Sequence, residues 1–350
     1  MESKRVLSVQ SHVVHGYVGN KSAVFPLQLH NYEVDNINSV QLSCHTQYIH
    51  CSGQVLTRKH LDSIYDSLRQ NGSANYDALL TGYVGDPDFL IQLAGIAVET
   101  KSDNPSCRFY CDPVIGDNGH IYVPEELVPI YREKILPIAD ILLPNQFEAE
   151  LLTGCKITDE DSAFHCINLL HSTHGIPTII LSSTELFFED EQGLKQLATY
   201  ISYRPDLAEL RKCGKFTQRV RALFPKLEAT FFGTGDLFSS LTLIYFEKNN
   251  GNLDMAKALY KIQCTMHAVL KRTLEYAENL NSGRPLITIK YGAAPLLAFE
   301  DLLEFDDLPV VSHYRFGKPV SAGLRGSRQP TKSEISNGGT VSAAASMVPQ

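Results

Sequence analysis

Several absences narrow this chain before any motif is considered. No apolar run approaches the roughly 18 residues that a membrane-spanning helix needs, so no membrane partner is expected. The first ten residues carry no apolar block of the kind found in a secretory signal. There is no long run of Lys and Arg. With 31 basic residues against 39 acidic ones the formal charge is −8, which disfavours a nucleic-acid partner. The eight cysteines follow no framework spacing, as expected of reduced thiols in a cytoplasmic protein. No fixed-period repeat is present, which excludes a solenoid.

What is present is a chain able to bury a sizeable core. Of its 350 residues 43% are hydrophobic and 20% charged, which excludes wholesale disorder. Short apolar runs alternate with amphipathic stretches. Strands are predicted over 5–11, 34–41, 76–81, 108–111, 140–143 and 177–182, and helices over 21–30, 57–70, 86–100, 124–136, 148–152 and 159–174. Pro124 suits a helix start, where a missing N–H costs little. This alternation implies crossover connections. It predicts an α/β three-layer sandwich with a mostly parallel central sheet flanked by helices. Between 185 and 228 the pattern changes: runs at 197–203 and 216–223 read as strands with no helix between them, hence antiparallel additions to one edge. A helix beginning near Gly235 carries Leu237, Phe238, Leu241 and Tyr245 at helical spacing, a long helix follows over 253–279, and 296–303 is expected to close the domain. Residues 1–317 read as a single domain. The remaining 318–350 are rich in Ser, Gly, Pro and Thr and carry +3 (Lys318, Arg325, Arg328 and Lys332 against Glu334), so a disordered tail is expected.

In open parallel sheets ligands bind beyond the carboxyl ends of the strands. Four segments there carry chemistry. In Gly233-Thr234-Gly235-Asp236 two glycines bracket a threonine just before a helix, and free N–H groups at such a start make an anion-binding turn. Asp236 would repel a bound phosphate, but it suits a base that takes a proton from a hydroxyl attacking a phosphoryl group; as an ordinary first-turn residue it would need no such role. Asp112 and Asp117 follow a buried strand and offer hard oxygens suited to Mg²⁺, or simply turn chemistry. Asn145 could bond a phosphate and Glu148 could hold a metal through its water, although the pair also fits a capping box. Ser11 stands at the end of the first strand, where it could bind a ligand. The nearby stretch 16–22 (GYVGNKS) is not a phosphate loop, because its spacing is wrong. Cys44, His45, His50 and Cys51 fit no standard zinc spacing.

Taken together, these segments resemble the pyridoxal kinase family of the ribokinase-like superfamily. The stretches that carry the resemblance are RVLSVQSHVVHGYVGNKSAVFPLQ, NSVQLSCHT, GQVL, LLTGY, CDPVIGD, YVPEEL, ADILLPNQFEAELLTG and FFGTGDLF. They run from Arg5 to about Gly283, with weaker similarity to about Leu308. The resemblance implies transfer of the ATP γ-phosphoryl group to the 5′-hydroxyl of pyridoxal, pyridoxine or pyridoxamine by a cytosolic homodimer. It implies Asp236 as base and Gly233, Thr234 and Gly235 as anion hole. Ser11 and Thr46 would hold the polar substituents of the pyridine, and Val18, Val40, His45, Tyr83 and Val114 would line its pocket. Asp112, Asp117, Asn145 and Glu148 would serve ATP and its divalent ion (Mg²⁺ or Zn²⁺). Ser182 stands where the family usually has Thr and would contact the nucleotide. Tyr122 would lie in the loop over the phosphates, and Leu227 and Ala229 near the adenine.

Three departures from the family pattern are visible. Leu143 stands where a Thr is usual, removing a hydroxyl beside a monovalent-cation site formed by its carbonyl and Ser182; weakened or altered K⁺/Na⁺ dependence is expected, and ordinary K⁺ activation in a titration would contradict this. Leu42 replaces an aromatic, and the loop between Asp117 and Tyr122 is short. Two rival readings are a kinase of a related heterocycle, such as hydroxymethylpyrimidine, and a catalytically weak protein that binds nucleotide or pyridoxal phosphate.

Overall fold

The computed structural model describes residues 3–184, 186, 188–204, 217–227, 229–248, 254–280, 311–315 and 318–321. In chain order the first half comprises β1 (Arg5–Val13), α1 (Asn20–Leu29), β2 (Glu33–Leu42), β3 (Gly53–Val55), α2 (Arg58–Gln70), β4 (Ala78–Thr81), α3 (Pro87–Asp103), β5 (Arg108–Cys111), β6 (Gly116–Asp117) and β7 (His120–Ile121). Then come α4 (Leu127–Ile130), β8 (Ile141–Leu142), α5 (Gln146–Thr153), α6 (Glu160–His174), β9 (Thr178–Leu181), β10 (Phe188–Glu189), β11 (Lys195–Tyr203) and β12 (Gln218–Pro225). The last are α7 (Thr234–Glu247), α8 (Met255–Leu280), β13 (Val311–Arg315) and β14 (Lys318–Ser321).

Six strands run parallel in the order β2-β1-β4-β5-β8-β9. β3 lies antiparallel on β2 at one edge. At the other edge β11 runs antiparallel to β9, β12 to β11, β13 to β12 and β14 to β13. The antiparallel edge expected from the runs at 197–203 and 216–223 is therefore present.

The strand residues alternate between two apolar cores. Leu7, Val9, Leu79 and Phe109 face a layer with Leu61 of α2, Phe89 and Leu93 of α3, Leu152 of α5 and Phe164 of α6. Val6, Leu80, Tyr110 and Ile180 face the opposite layer, with Leu27 of α1, Leu237, Phe238 and Leu241 of α7, and Leu259 of α8. Covering both faces is what makes the strands read as continuous apolar runs. The result is the three-layer α/β sandwich expected from the sequence.

The helix starts follow local chemistry. Asp86 accepts the Phe89 N–H at 2.7 Å ahead of Pro87, and Asp159 accepts that of Ser162 at 2.7 Å. The helix expected over 124–136 is not continuous. It divides into α4, a π turn at Tyr131–Ile135 and a 3₁₀ turn at Leu136–Ile138. Pro129 and Pro137 lack the N–H that a regular helix would use there. β3, the β6–β7 hairpin, β10, β13 and β14 are not among the elements expected from the sequence. The helix expected over 296–303 lies outside the described residues. Of the tail from 318, only β14 is described.

One buried residue predicts how stability depends on pH. His171 sits between the Ile176 carbonyl (2.6 Å from Nδ1) and the Ser202 hydroxyl (2.9 Å from Nε2). A neutral ring donating from Nδ1 and accepting at Nε2 satisfies both. Burial, with a smaller contribution from Arg204 and Arg219, lowers its pKa to about 4. The unfolded chain binds this proton near pH 6.5, so between those values the unfolded state carries more protons and stability falls as pH falls. Urea unfolding at pH 7 and near pH 4.5 should show His171→Gln losing about 1–3 kcal/mol less than the wild type across that interval. His30, also lowered to about 4, supplies part of the remaining slope.

Candidate active site

α7 starts where the sheet ends. Its N-cap, Gly233, has φ +77°, and a Cβ there would lie 2.1 Å from the Tyr17 carbonyl oxygen, so this position admits only glycine without displacement. Thr234, Gly235 and Asp236 form the first turn, and the following residues, Leu237 to Ile244, are buried all round. The helix is therefore fixed on every side, with its N–H groups at the strand ends.

The start of α1 clasps the start of α7. Gly19, with φ +57°, packs so close to Ser11 that a Cβ would lie 2.0 Å from the Ser11 carbonyl oxygen. Its N–H donates to the Asp236 carboxylate. The Ser22 hydroxyl donates to the Gly233 carbonyl at 3.3 Å. Asn20 anchors this clasp from within: it accepts from Ser8 Oγ at 2.7 Å and donates to the Ile37 carbonyl at 3.0 Å and to Asn38 Oδ1 at 2.9 Å.

Three carboxyl groups gather beside this turn. Asp112, buried at the end of β5, lies 3.6 Å from where a Cβ on Gly235 would sit. Burial raises its pKa well above the usual carboxylate range, the charges of Glu148 and Asp236 add to this, and a hydrogen bond from Ser239 opposes it. Burial pushes Glu148 up to about 8 against three opposing main-chain donors, the N–H groups of Asn145 (2.9 Å), Ile115 (2.9 Å) and Gly116 (3.4 Å). Asp236 is raised by burial, partly offset by the Gly19 N–H. Among the described residues no Lys or Arg forms an ion pair with any of the three. A buried acidic group of this kind favours a cation.

The same geometry limits how a cation could bind. Both Glu148 oxygens already accept main-chain N–H groups, and no set of three His, Cys, Asp or Glu side chains among the described residues converges to hold a metal directly. The capping-box geometry of Asn145 and Glu148 is present: Asn145 accepts the Glu148 N–H at 2.9 Å while its Nδ2 donates to the Gly116 carbonyl at 2.8 Å. Asn145 thus ties α5 to the β6–β7 hairpin. That hairpin turns through Asn118 and Gly119, both at positive φ, a two-residue turn that keeps the loop short. Asp117, on this hairpin, is exposed and accepts the Asn118 N–H at 2.8 Å. Tyr122 follows it, partly exposed, its hydroxyl raised to about 12 by burial and then by Asp117 and Glu148.

The remaining candidates fall on two groups of strand-end loops. Buried Ser11 lies beside Gly19, and Val18 packs against the Gly233 position. Val40 is buried on β2, Tyr83 is half-buried after β4, and Val114 sits in the tight turn after Asp112. His45 stacks on Phe232 at 4.3 Å between ring centroids, while Thr46 is exposed in the same loop. Leu42 is half-buried, paired with Gly53. On the other side Ser182, at the end of β9, donates to the Pro144 carbonyl at 3.2 Å. The Leu143 side chain points into the core against α7, so only its main chain belongs to the strand-end loop. Leu227 and Ala229 are half-buried after β12, where the Ala229 N–H donates to the Leu227 carbonyl at 2.8 Å. Sequence reasoning missed Gly19, Ser239 and Phe232. Ser239 lies three residues after Asp236 on the same helix, a spacing that places both on one face.

A fixed helix start with glycine-shaped access, a carboxylate in its first turn and buried acidic groups beside it suit a phosphotransferase. Comparison with known proteins narrows this class. The profile of the family described as Phosphomethylpyrimidine kinase matches residues 74–204. The chain is 45% identical over 282 residues to a pyridoxal kinase of Bos taurus, covering 79% of this chain and 88% of that protein. It is 42% identical over 274 residues to one of Arabidopsis thaliana, covering 78% and 84%. The solved structure of the Leishmania donovani pyridoxal kinase in complex with ADP and pyridoxine superposes with a TM-score of 0.76 at 31% identity, covering 90% of this chain and all of that one. The chain belongs to the pyridoxal kinase family.

Proposed function

We propose that this enzyme transfers the γ-phosphoryl group of ATP to the 5′-hydroxyl of pyridoxal, pyridoxine and pyridoxamine. The observation that carries the reading is Asp236: a carboxylate raised by burial, held by the Gly19 N–H, in the first turn of a helix whose N–H groups face the same space. Phosphoryl transfer is mostly positioning and charge neutralisation. In this reading Asp236 aligns the hydroxyl and takes its proton as the phosphoryl group transfers. The N–H groups of Gly233, Thr234 and Gly235 receive the charge on the phosphoryl oxygens. Ser11 and Thr46 orient the pyridine, with Val18, Val40, His45, Tyr83 and Val114 around it. Asn145, Ser182, Tyr122, Leu227 and Ala229 serve the nucleotide.

The acidic pocket fits a divalent ion. Asp112 and Asp117, with Glu148 through water, would hold Mg²⁺ or Zn²⁺, which when bound neutralises phosphate charge. The Leu143 carbonyl and Ser182 would serve K⁺ or Na⁺. A cytoplasmic homodimer completes the reading. No helix among the described residues is long and apolar enough to cross a membrane.

A second reading, phosphorylation of a hydroxymethylpyrimidine, draws support from the profile matching 74–204. A substrate panel separates the two. Purified protein with ATP and Mg²⁺ is assayed on the three vitamers and on hydroxymethylpyrimidine, with formation of pyridoxal 5′-phosphate followed by absorbance. Turnover of the vitamers at least tenfold above the pyrimidine is expected, and the reverse order would overturn the proposal.

A further inference from the structure

The loop between β2 and β3 carries His45 and Thr46, and its neck is a pair of cysteines. We propose that Cys44 and Cys51 form a reversible disulfide that restrains this loop under oxidising conditions. The register of the β2–β3 ladder places them. Val40 pairs with Val55, Gln41 with Gln54 and Leu42 with Gly53. The Ser43 N–H then donates to the Ser52 carbonyl at 2.8 Å, while the Ser52 N–H turns to the Ser43 hydroxyl at 3.2 Å, so one main-chain bond carries the pairing past the ladder. The next step sets Cys44 opposite Cys51. Directly opposed residues beyond a hydrogen-bonded pair have Cα atoms about 4.5 Å apart, at the short end of the disulfide range.

The sulfur contacts supply a second, independent observation. Cys51 Sγ lies 3.1 Å from the Cys44 carbonyl oxygen, and Cys44 Sγ lies 3.3 Å from the His50 carbonyl oxygen. Each thiol therefore already lies against the other's strand. Both are free thiols, Cys44 buried and Cys51 partly exposed. The difference in exposure orders the chemistry. The Cys51 thiolate attacks a low-molecular-weight disulfide such as oxidised glutathione, forming a mixed disulfide and releasing one thiolate. The Cys44 thiolate then attacks Cys51 Sγ, expelling the second thiolate. The protein loses two electrons and two protons, and the small disulfide becomes two thiols.

The bond has a consequence for the loop. To form it, Cys44 Sγ must leave the His50 carbonyl and Cys51 Sγ must leave the Cys44 carbonyl. Both carbonyls at the ends of the loop then lose their thiol donors. Between those ends His45 stacks on Phe232 at 4.3 Å and meets Tyr48 edge-on at 4.6 Å, and Phe232 directly precedes Gly233. A stapled neck holds this aromatic group across the pyridine side of the cleft. The kinetic effect rests on the proposed place of His45 and Thr46 in the vitamin pocket, whereas the bond itself does not.

The test uses the full chain, incubated with oxidised glutathione, alkylated and mapped by peptide mass spectrometry, with kinetics on the same samples. A Cys44–Cys51 linkage reversed by dithiothreitol is expected. With it, KM for pyridoxal should rise at least threefold, while KM for ATP is unchanged. Cys51→Ser and Cys44→Ser should each keep the reduced enzyme's activity and lose the response; Cys51→Ala repeats the test if a serine variant folds poorly. Reaction that stops at glutathionylated Cys51, or linkage through any of the other six cysteines, overturns the disulfide. Linkage with an unchanged KM overturns the restraint of the pocket and leaves the bond standing.

Discussion

Asp236→Asn is expected to lower kcat by about three orders of magnitude, with KM for ATP and pyridoxal changed by no more than about threefold. Asparagine keeps the shape, and its Oδ1 can still accept the Gly19 N–H that the carboxylate accepts now. What it cannot do is take the proton of the attacking hydroxyl. Removing this charge also relieves the repulsion that raises Asp112, so the nucleotide side should bind at least as well. The loss should therefore fall on kcat, which separates a base from a residue that only shapes the pocket. Steady-state formation of pyridoxal 5′-phosphate at saturating substrates measures it. A loss below tenfold would show that the hydroxyl gives up its proton without Asp236, and the proposed role would fail.

The parts of this site that were legible in the sequence follow simple rules. Strands such as Ala78–Thr81 and Thr178–Leu181 are buried on both faces and read as short apolar runs. The rule that ligands bind at the carboxyl ends of parallel strands then pointed to Ser11, Asp112 and Asn145 without any contact being known, whereas Ser182 came only from the family resemblance. Other features were hidden because they depend on partners distant in sequence. Gly19 belongs to a stretch that fails as a phosphate loop, and it acts instead through one N–H on a carboxylate more than two hundred residues away. Leu143 shows the converse. The family resemblance implies a lost hydroxyl beside a cation site there, and the structure puts the leucine side chain in the apolar core under α7. The Asn118-Gly119 turn was readable as a hairpin signal, but its two-residue strands are too short to show period-two alternation. The break at Tyr131 reflects backbone N–H groups missing at prolines on either side, which apolar periodicity does not register.

Gly233→Ala carries the second large effect, because two costs act there together. A left-handed backbone costs a non-glycine residue about 1–2 kcal/mol. That cost alone is measured at Gly175, the C-terminal cap of α6, which has φ +72° and nothing within 4 Å of an added Cβ. Gly175→Ala should therefore lose about 1–2 kcal/mol of stability with kcat unchanged. At Gly233, with φ +77°, the added carbon would also sit 2.1 Å from the Tyr17 carbonyl oxygen, a main-chain atom. Tyr17 cannot easily retreat, because Gly19 just beyond it is wedged against Ser11, and Asn20 is bonded to Ser8, Ile37 and Asn38. The displacement must then fall on Gly233 and Thr234, moving the N–H groups proposed to receive the phosphoryl charge. Loss of one preorganised donor of this kind costs about two to three orders of magnitude in kcat. Gly233→Ala should reach that range while remaining folded by circular dichroism. If its kcat falls no further than that of Gly175→Ala, the α7 N-terminus is not the anion site. The clasp between α1 and α7 would then be structural alone.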